Sequence, residues 1–279
     1  MSTTGSWNTG EIRQWHRSQK KTSKKITFGM LFVAPPRLPI GFNSLDISKD
    51  SNPRVRVIAT NITKDSFKTS LNCWGDTTLY FAGASWLELS PGHLEYQSGE
   101  FCTVDDHPWN KPQMETSRRI SFDRPFITPP KVIVFLKQLD MANDKNWRVA
   151  TKVSGIDPNG FTIHIDTWGD SILYSAAAGW IAYPEDRPYV FSGTASTMEI
   201  RPSDKPRLKT SKAIDIRQAG FLKAPNVFMA INSLNLDHRA NLRIKVEATH
   251  VTQNSLTWHI DSWGDSVLYD AGVSILAVV

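Results

Sequence analysis

The sequence predicts an all-β fold built from three tandem antiparallel sandwiches. Two observations predict it. The first is an internal repeat. Trp74-Gly75-Asp76 runs on to Tyr80, Trp168-Gly169-Asp170 to Tyr174, and Trp263-Gly264-Asp265 to Tyr269, with one separation throughout. Successive tryptophans lie 94 and 95 residues apart. That period is the size of a small domain and too long for a solenoid blade. The second observation is periodicity. Apolar residues alternate with polar ones over short stretches, and no stretch of useful length has a period of 3.6.

The second repeat shows the elements in order. Lys131-Val132-Ile133-Val134-Phe135-Leu136 reads as a buried strand, and Arg148 to Val153 alternates polar with apolar. Phe161 to Trp168 alternates strictly, and Ile172-Leu173-Tyr174 leads on to Gly179-Trp180-Ile181-Ala182-Tyr183. Half-buried strands of this kind suit an antiparallel sandwich. Asp157-Pro158-Asn159-Gly160 reads as a hairpin turn, and each Gly-Asp after tryptophan as a second turn. A further strand is expected near Gly10-Glu11-Ile12, Ser98-Gly99-Glu100-Phe101 and Ser192-Gly193-Thr194. The expected domains are residues 1–90, 91–186 and 187–279. A unit of that size buries only part of its surface, so packing of the three against one another is expected.

An arginine precedes each Trp-Gly-Asp: Arg56, Arg148 and Arg243. On that alignment the first repeat is shorter between arginine and tryptophan, with a deletion at Lys64-Asp65-Ser66. Leu45-Asp46, Leu139-Asp140 and Leu234-Asn235 recur upstream.

Composition narrows the function classes. The formal net charge is +5, much of the excess lying between Arg13 and Lys25. A solvated loop or terminal face explains that segment, and a patch for nucleic acid or an anionic membrane is the sharper alternative. It occurs in one repeat, so it is not a common function, and no nucleic-acid partner is expected. Cys73 and Cys102 have no metal spacing and no counterparts in the other repeats. The first residues contain no apolar core of signal-peptide type, and no apolar run is long enough to span a membrane. The expectation is a soluble chain made in the cytosol, with non-classical release left open.

Each repeat thus carries a guanidinium, an indole, a phenol and a carboxylate. Aromatic faces cover the C–H faces of sugars, and arginine forks onto paired oxygens. Glycoside cleavage would need a second carboxylate at a fixed offset. None recurs, since Asp46 and Asp140 become Asn235. No Ser/His/Asp spacing, phosphate loop or metal cluster is visible, so an enzyme is not expected. His164 and His259 read as sheet residues, and Trp86 and Trp180 as core. Asp76, Asp170 and Asp265 read as turn formers.

The ordered set Ile120-Ser121-Phe122, Pro125-Phe126, Pro129-Pro130-Lys131-Val132, Leu139-Asp140, Trp147-Arg148-Val149, Gly160-Phe161, Trp168, Tyr174 and Gly179-Trp180-Ile181-Ala182 resembles the H-type lectin domain. That is the family of snail agglutinins and of discoidin C-terminal domains. The resemblance covers almost the whole chain in three copies. It implies six-stranded antiparallel sandwiches, here packed as a pseudo-threefold single-chain trimer, with further association open. It also implies metal-free, cofactor-free binding of terminal N-acetylgalactosamine or galactose. The sites would lie between repeats, with an arginine (Arg56, Arg148 or Arg243) on one side. A tryptophan (Trp74, Trp168 or Trp263) and a tyrosine (Tyr80, Tyr174 or Tyr269) would face it from the neighbour. Where snail members carry a sugar-touching histidine after the tryptophan, this chain has Gly75, Gly169 and Gly264. The family's loop aspartate is best matched by Asp204, with Asp106 a looser match and His16-Arg17 in the first repeat. The expected function is a multivalent lectin. The alternative is a structural or protein-binding module that has lost sugar binding.

Overall fold

A computed structural model of the chain describes residues 3–279. The first repeat supplies β1 (Thr3–Asn8), β2 (Lys21–Thr27), β3 (Ile40–Ile47), β4 (Arg54–Thr60), β5 (Ser66–Cys73) and β6 (Leu79–Glu88). The second supplies β7 (Gln97–Cys102), β8 (Glu115–Ser121), β9 (Lys131–Met141), β10 (Trp147–Asp157), β11 (Gly160–Asp166) and β12 (Leu173–Tyr183). The third supplies β13 (Val190–Ser196), β14 (Lys209–Asp215), β15 (Asn226–Leu236), β16 (Leu242–Thr249), β17 (Ser255–Asp261) and β18 (Leu268–Val278). The helical content among the described residues is confined to single 3-10 turns.

The strands form three six-stranded antiparallel sheets, in the orders β1-β6-β3-β16-β17-β14, β13-β18-β15-β10-β11-β8 and β2-β5-β4-β9-β12-β7. Each repeat is therefore split, three strands to one sheet and three to another. The two halves face each other as the layers of a sandwich. Phe67 on β5 meets Trp86 on β6 edge-on at 5.2 Å, and Phe161 on β11 meets Trp180 on β12 at 5.3 Å. Trp86 and Trp180 are core residues, as expected, and Ile275 holds the third position at full burial.

The layers do not stop at the repeat. β4 continues onto β9, β10 onto β15 and β16 onto β3, each through a short ladder of three or four residue pairs. An isolated repeat would leave β3 and β4 as open edges with unpaired N–H and C=O groups. Joining edges in a ring covers them, so the three units share sheets as well as packing side by side.

A second apolar cluster lies where the repeats meet, including Leu87, Ile133, Phe135, Ile181, Phe228 and Leu276. Equivalent strand positions converge here as Gly41, Phe135 and Ala230. A Cβ on Gly41 would lie 2.5 Å from Phe135 Cδ2 and 2.9 Å from the Ala230 Cβ. One phenyl ring and two small residues fill a space that three equal rings could not. Phe135 also meets Phe228 at 4.9 Å. Ser274 Oγ donates to the Val134 carbonyl at 2.7 Å, tying the third repeat to the second.

Two expectations need correcting. Gly10-Glu11-Ile12 is not the extra strand: Thr9–Glu11 is a 3-10 turn and the strand precedes it as β1. The reason is Gly5, where a Cβ would come within 2.3 Å of Trp86 Cζ2; Gly99 plays the same part beneath Trp180. The basic segment is also not simply a solvated loop. Arg13 is buried and donates to the carbonyls of Leu79 at 2.7 Å and Tyr80 at 2.9 Å. Lys20 Nζ donates to the Thr77 carbonyl at 2.9 Å, and Lys24 pairs with Glu11 at 2.6 Å. Cys73 and Cys102 are both free thiols.

The axial packing makes a prediction. Phe135→Ala removes the one ring among the three equivalent positions Gly41, Phe135 and Ala230 and should cost about 3–5 kcal/mol. A fall in the guanidinium midpoint reads this out, and an unchanged midpoint would show the axis is not tightly packed.

Candidate functional site

The Trp-Gly-Asp turns are built alike. Gly75, Gly169 and Gly264 have φ of +62°, +68° and +65°, a left-handed conformation that penalises any Cβ. A Cβ would also strike an arginine, whose Nη1 would be 2.7, 2.9 and 2.8 Å away respectively. Those arginines are Arg54, Arg148 and Arg243. Each Nη1 donates to the aspartate of the same turn: Arg54 to Asp76, Arg148 to Asp170 at 2.6 Å and Arg243 to Asp265 at 2.5 Å. The guanidinium holds all three carboxyls below their ordinary range. The next hydroxyl ties down the far loop, Thr77 to the Asn52 carbonyl at 2.6 Å, Ser171 to Asn146 and Ser266 to Asn241 at 2.5 Å. The turn aspartates are therefore turn formers and arginine anchors together.

This corrects the first-repeat arginine. Arg54, not Arg56, is the counterpart of Arg148 and Arg243. With Arg54 the arginine-to-tryptophan spacing is 20 residues in every repeat, and the supposed deletion at Lys64-Asp65-Ser66 disappears. Arg56 is two residues further along β4, with Nη2 3.8 Å from Glu100 Oε1.

The ladders between repeats put a second group opposite each arginine. Arg54 is in register with Asp140, Arg148 with Asn235 and Arg243 with Asp46. Directly opposed residues share a sheet face. Arg54 Nε lies 3.4 Å from Asp140 Oδ1, and Arg243 Nε 3.4 Å from Asp46 Oδ1. Burial pushes the Asp46 carboxyl up, while Arg243 and the Trp263 indole pull it down. Burial likewise pushes up Asp140, against Arg54 and the Trp74 indole. The third interface moves the charge by one strand. Asn235 Nδ2 donates to Asp270 Oδ2 at 2.8 Å, and Asp270 stands where the others have Phe81 and Ser175.

Arginine and tryptophan thus come from the same repeat, contrary to the expected division. The neighbour contributes the carboxylate, together with a loop. Thr9, Thr103 and Thr197 accept the backbone N–H of Ala82, Ala176 and Ala271 at 3.1 Å each, setting the start of that loop. Four residues on, Arg13 and Arg201 bind carbonyls at the start of β6 and β18, while His107 bonds Thr116 at 3.0 Å instead. Two residues further stand Trp15 and Trp109, 62% and 60% exposed. Trp15 packs edge-on against Tyr80 at 5.9 Å, and Trp109 against Tyr174 at 6.3 Å. The third loop has Ser203 there, and Tyr269 Oη donates to Asp237 Oδ2 at 2.9 Å instead. The ring neighbour of each of the first two tyrosines is therefore this loop tryptophan. Trp15 and Trp109 were missed by the repeat alignment; their equal offset from Thr9 and Thr103 is the signal that finds them.

The loop aspartates divide. Asp204 is exposed, whereas Asp106 is paired with Arg118 at 3.0 Å. His164 and His259 are sheet residues, bonded to Ser154 and Thr249 at 2.7 Å each. Among the described residues no cluster of His, Cys, Asp or Glu is arranged to hold a metal ion.

Asp46, Phe81 and Trp15 of the first repeat line one cleft with Arg243, Trp263 and Gly264 of the third, about 1120 Å³ in volume. Nη2 of Arg54, Arg148 and Arg243 makes no hydrogen bond to any described residue. A planar cation with a free N–H edge, a fixed carboxylate and flanking aromatic rings can hold a small polyol by its hydroxyls and its C–H face.

The turn geometry is testable. Gly169→Ala forces a Cβ into a left-handed residue beside Arg148 and should cost about 1–3 kcal/mol. Thermal unfolding should show the loss, and the Trp168 indole resonance should shift as Arg148 is displaced. A neutral effect on both would contradict the turn described.

The H-type lectin domain model matches residues 23–87, 117–183 and 218–278. The protein of Fuscovulum blasticum described as "ATP synthase subunits region ORF 7" is 36% identical over 63 residues, covering 23% of this chain and 55% of that protein. The chain thus spans about half the length of the curated relative it matches. Among solved structures, recombinant discoidin II of Dictyostelium discoideum is similar with a TM-score of 0.30 and 14% identity, covering 58% of this chain and 82% of its own. Wild-type discoidin II gives a TM-score of 0.28 and 14% identity, with 57% and 80% covered. The three matched segments take in more than half of the chain and each contains one Trp-Gly-Asp turn, so the chain belongs to the H-type lectin domain family.

Proposed function

We propose that the chain is a three-site lectin for terminal N-acetylgalactosamine or galactose-type glycans, acting by binding alone, without catalysis or metal. One observation carries the reading: every seam sets an arginine and tryptophan from one repeat against a polar side chain and a tyrosine-bearing strand from the next. That side chain is a carboxylate, Asp140 or Asp46, at two seams, and Asn235 backed by Asp270 at the other. The arginine's free Nη2 would donate to ring hydroxyls, and the carboxylate would accept from them. The indole would cover the apolar sugar face, joined by the loop tryptophan at the two seams that have Trp15 or Trp109. The galactose-type preference follows the family. Three modest sites on one rigid chain would gain avidity on dense glycans.

Titration calorimetry with N-acetylgalactosamine, beside a glycan array, tests this. Binding near three equivalents is expected. Arg148→Ala should remove one equivalent and leave the other two. A folded protein that binds no galactose-type glycan would sink the proposal, and capture of a protein ligand in its place would favour a protein-binding module.

Acid sensitivity should differ among the sites. Burial raises the carboxyls of Asp46 and Asp140, so they protonate on acidification before an ordinary aspartate, whose value is about 3.9. Protonation removes the charge facing the arginine. Binding reported by Trp263 and Trp74 should therefore weaken as pH falls, beginning above that value. Asn235 does not titrate, and Asp46→Asn should flatten the Trp263 profile. An unchanged profile in that variant would show that Asp46 is not the titrating group.

A further inference from the structure

The three clefts are not equal, and the difference lies beyond the arginine–carboxylate pair. The cleft between the third and first repeats runs from Trp263 and Arg243, past Ser6, Asn43 and Lys245, to Val227 and Met229. Its volume of about 1120 Å³ lies above the range of small-ligand sites, which span about 300–1,000 Å³. It is lined by hydroxyl, amide and charged groups over an apolar floor. Between the second and third repeats the corresponding space is about 340 Å³ and is lined by neither Arg148 nor Trp168.

Between the first and second repeats the same space is crossed by charge. The strand pairings make Glu100 the counterpart of Ser6, Lys137 that of Asn43 and Arg56 that of Lys245. Lys137 Nζ is bonded directly to Glu100, and Arg56 Nη2 lies 3.8 Å from the same carboxylate. In the open cleft Asn43 instead turns to Ser85, donating at 2.9 Å. The bulge residue that bridges one cleft is folded back in the other.

We infer that the cleft between the third and first repeats holds an oligosaccharide chain beyond its terminal sugar, and that the Lys137–Glu100 pair limits the cleft between the first and second repeats to the terminal sugar. The inference rests on the lectin reading above and specifies which site reads the length of the glycan. Chain extension follows from continuity: the open cleft begins at the arginine, indole and carboxylate, and the ion pair further along it, Lys245–Glu247 at 2.7 Å, lies along β16 on one wall and does not cross to the other repeat. Hydroxyl and amide groups along one wall match successive sugar hydroxyls, and the apolar floor matches their C–H faces.

Indole resonances separate the sites, Trp263 reporting on the open cleft and Trp74 on the bridged one. The full chain is titrated with methyl N-acetylgalactosaminide and with a tetrasaccharide ending in N-acetylgalactosamine. At Trp263 the tetrasaccharide should bind at least tenfold more tightly than the monosaccharide; at Trp74 the two should agree within about twofold. Ser6→Glu with Asn43→Lys transplants the bridge beside Lys245 and should abolish the gain at Trp263 while the monosaccharide still binds there. Glu100→Ser with Lys137→Asn should create a gain at Trp74. Equal ratios at Trp263 and Trp74 in the unaltered protein overturn the inference while leaving the lectin reading in place. A protein peptide or second copy of the chain occupying the cleft in place of the tetrasaccharide overturns it too. Failure of every indole to respond to either sugar overturns the lectin reading and this inference with it.

Discussion

Three short ladders of backbone hydrogen bonds, β4 to β9, β10 to β15 and β16 to β3, govern everything at the seams. Strand pairing has a period of two, so a slip of one residue would turn each side chain to the opposite face. The observed register puts Arg54 opposite Asp140, Arg148 opposite Asn235 and Arg243 opposite Asp46. The same ladders cover the edges that a lone repeat would expose. The contact that completes each sheet is therefore the contact that assembles each candidate site. Loss of the seam would remove the site before it touched any ligand group.

Joining three repeats in one chain frees equivalent positions to diverge. At the axis, Phe135 stands opposite Gly41 and Ala230, an arrangement closed to three identical subunits. The residue beside the seam carboxylate is Phe81, Ser175 or Asp270, so the three sites present an apolar, a neutral polar and a charged neighbour. The bulge residue is Asn43, Lys137 or Asn232, and only the lysine bridges its cleft, by pairing with Glu100. A multivalent chain of this kind can grade its sites without altering the fold that creates them.

Much of the fold was legible in single residues. Gly75, Gly169 and Gly264 mark turns, and alternation around them marks strands. Trp86 and Trp180 were readable as core from their apolar surroundings. Arg56 was readable as the wrong arginine from spacing alone, since Arg54 keeps the 20-residue interval to tryptophan found in the other repeats. In Arg54-Val55-Arg56 both guanidiniums lie on one face of β4, so alternation does not separate them. The pairing with β9, which places Arg54 against Asp140 and Arg56 against Gln138, agrees with the spacing. Trp15 and Trp109 escaped notice because the third repeat has Ser203 in their place. Arg13 looked like one charge in a basic run, because its role depends on carbonyls at Leu79 and Tyr80, far along the chain.

The sequence by itself determined the all-β class, the threefold repetition, the turns and the residue types gathered at each seam. These depend on local properties: alternation of polarity, glycine's tolerance of positive φ, and recurrence at a fixed spacing. Tertiary structure alone decided that arginine and tryptophan share a repeat while the carboxylate comes from the next. It also decided that one cleft is open and another bridged. Both are matters of register and closeness between strands distant in the chain, and hydrogen-bond ladders between edges leave no local trace in the residues they join.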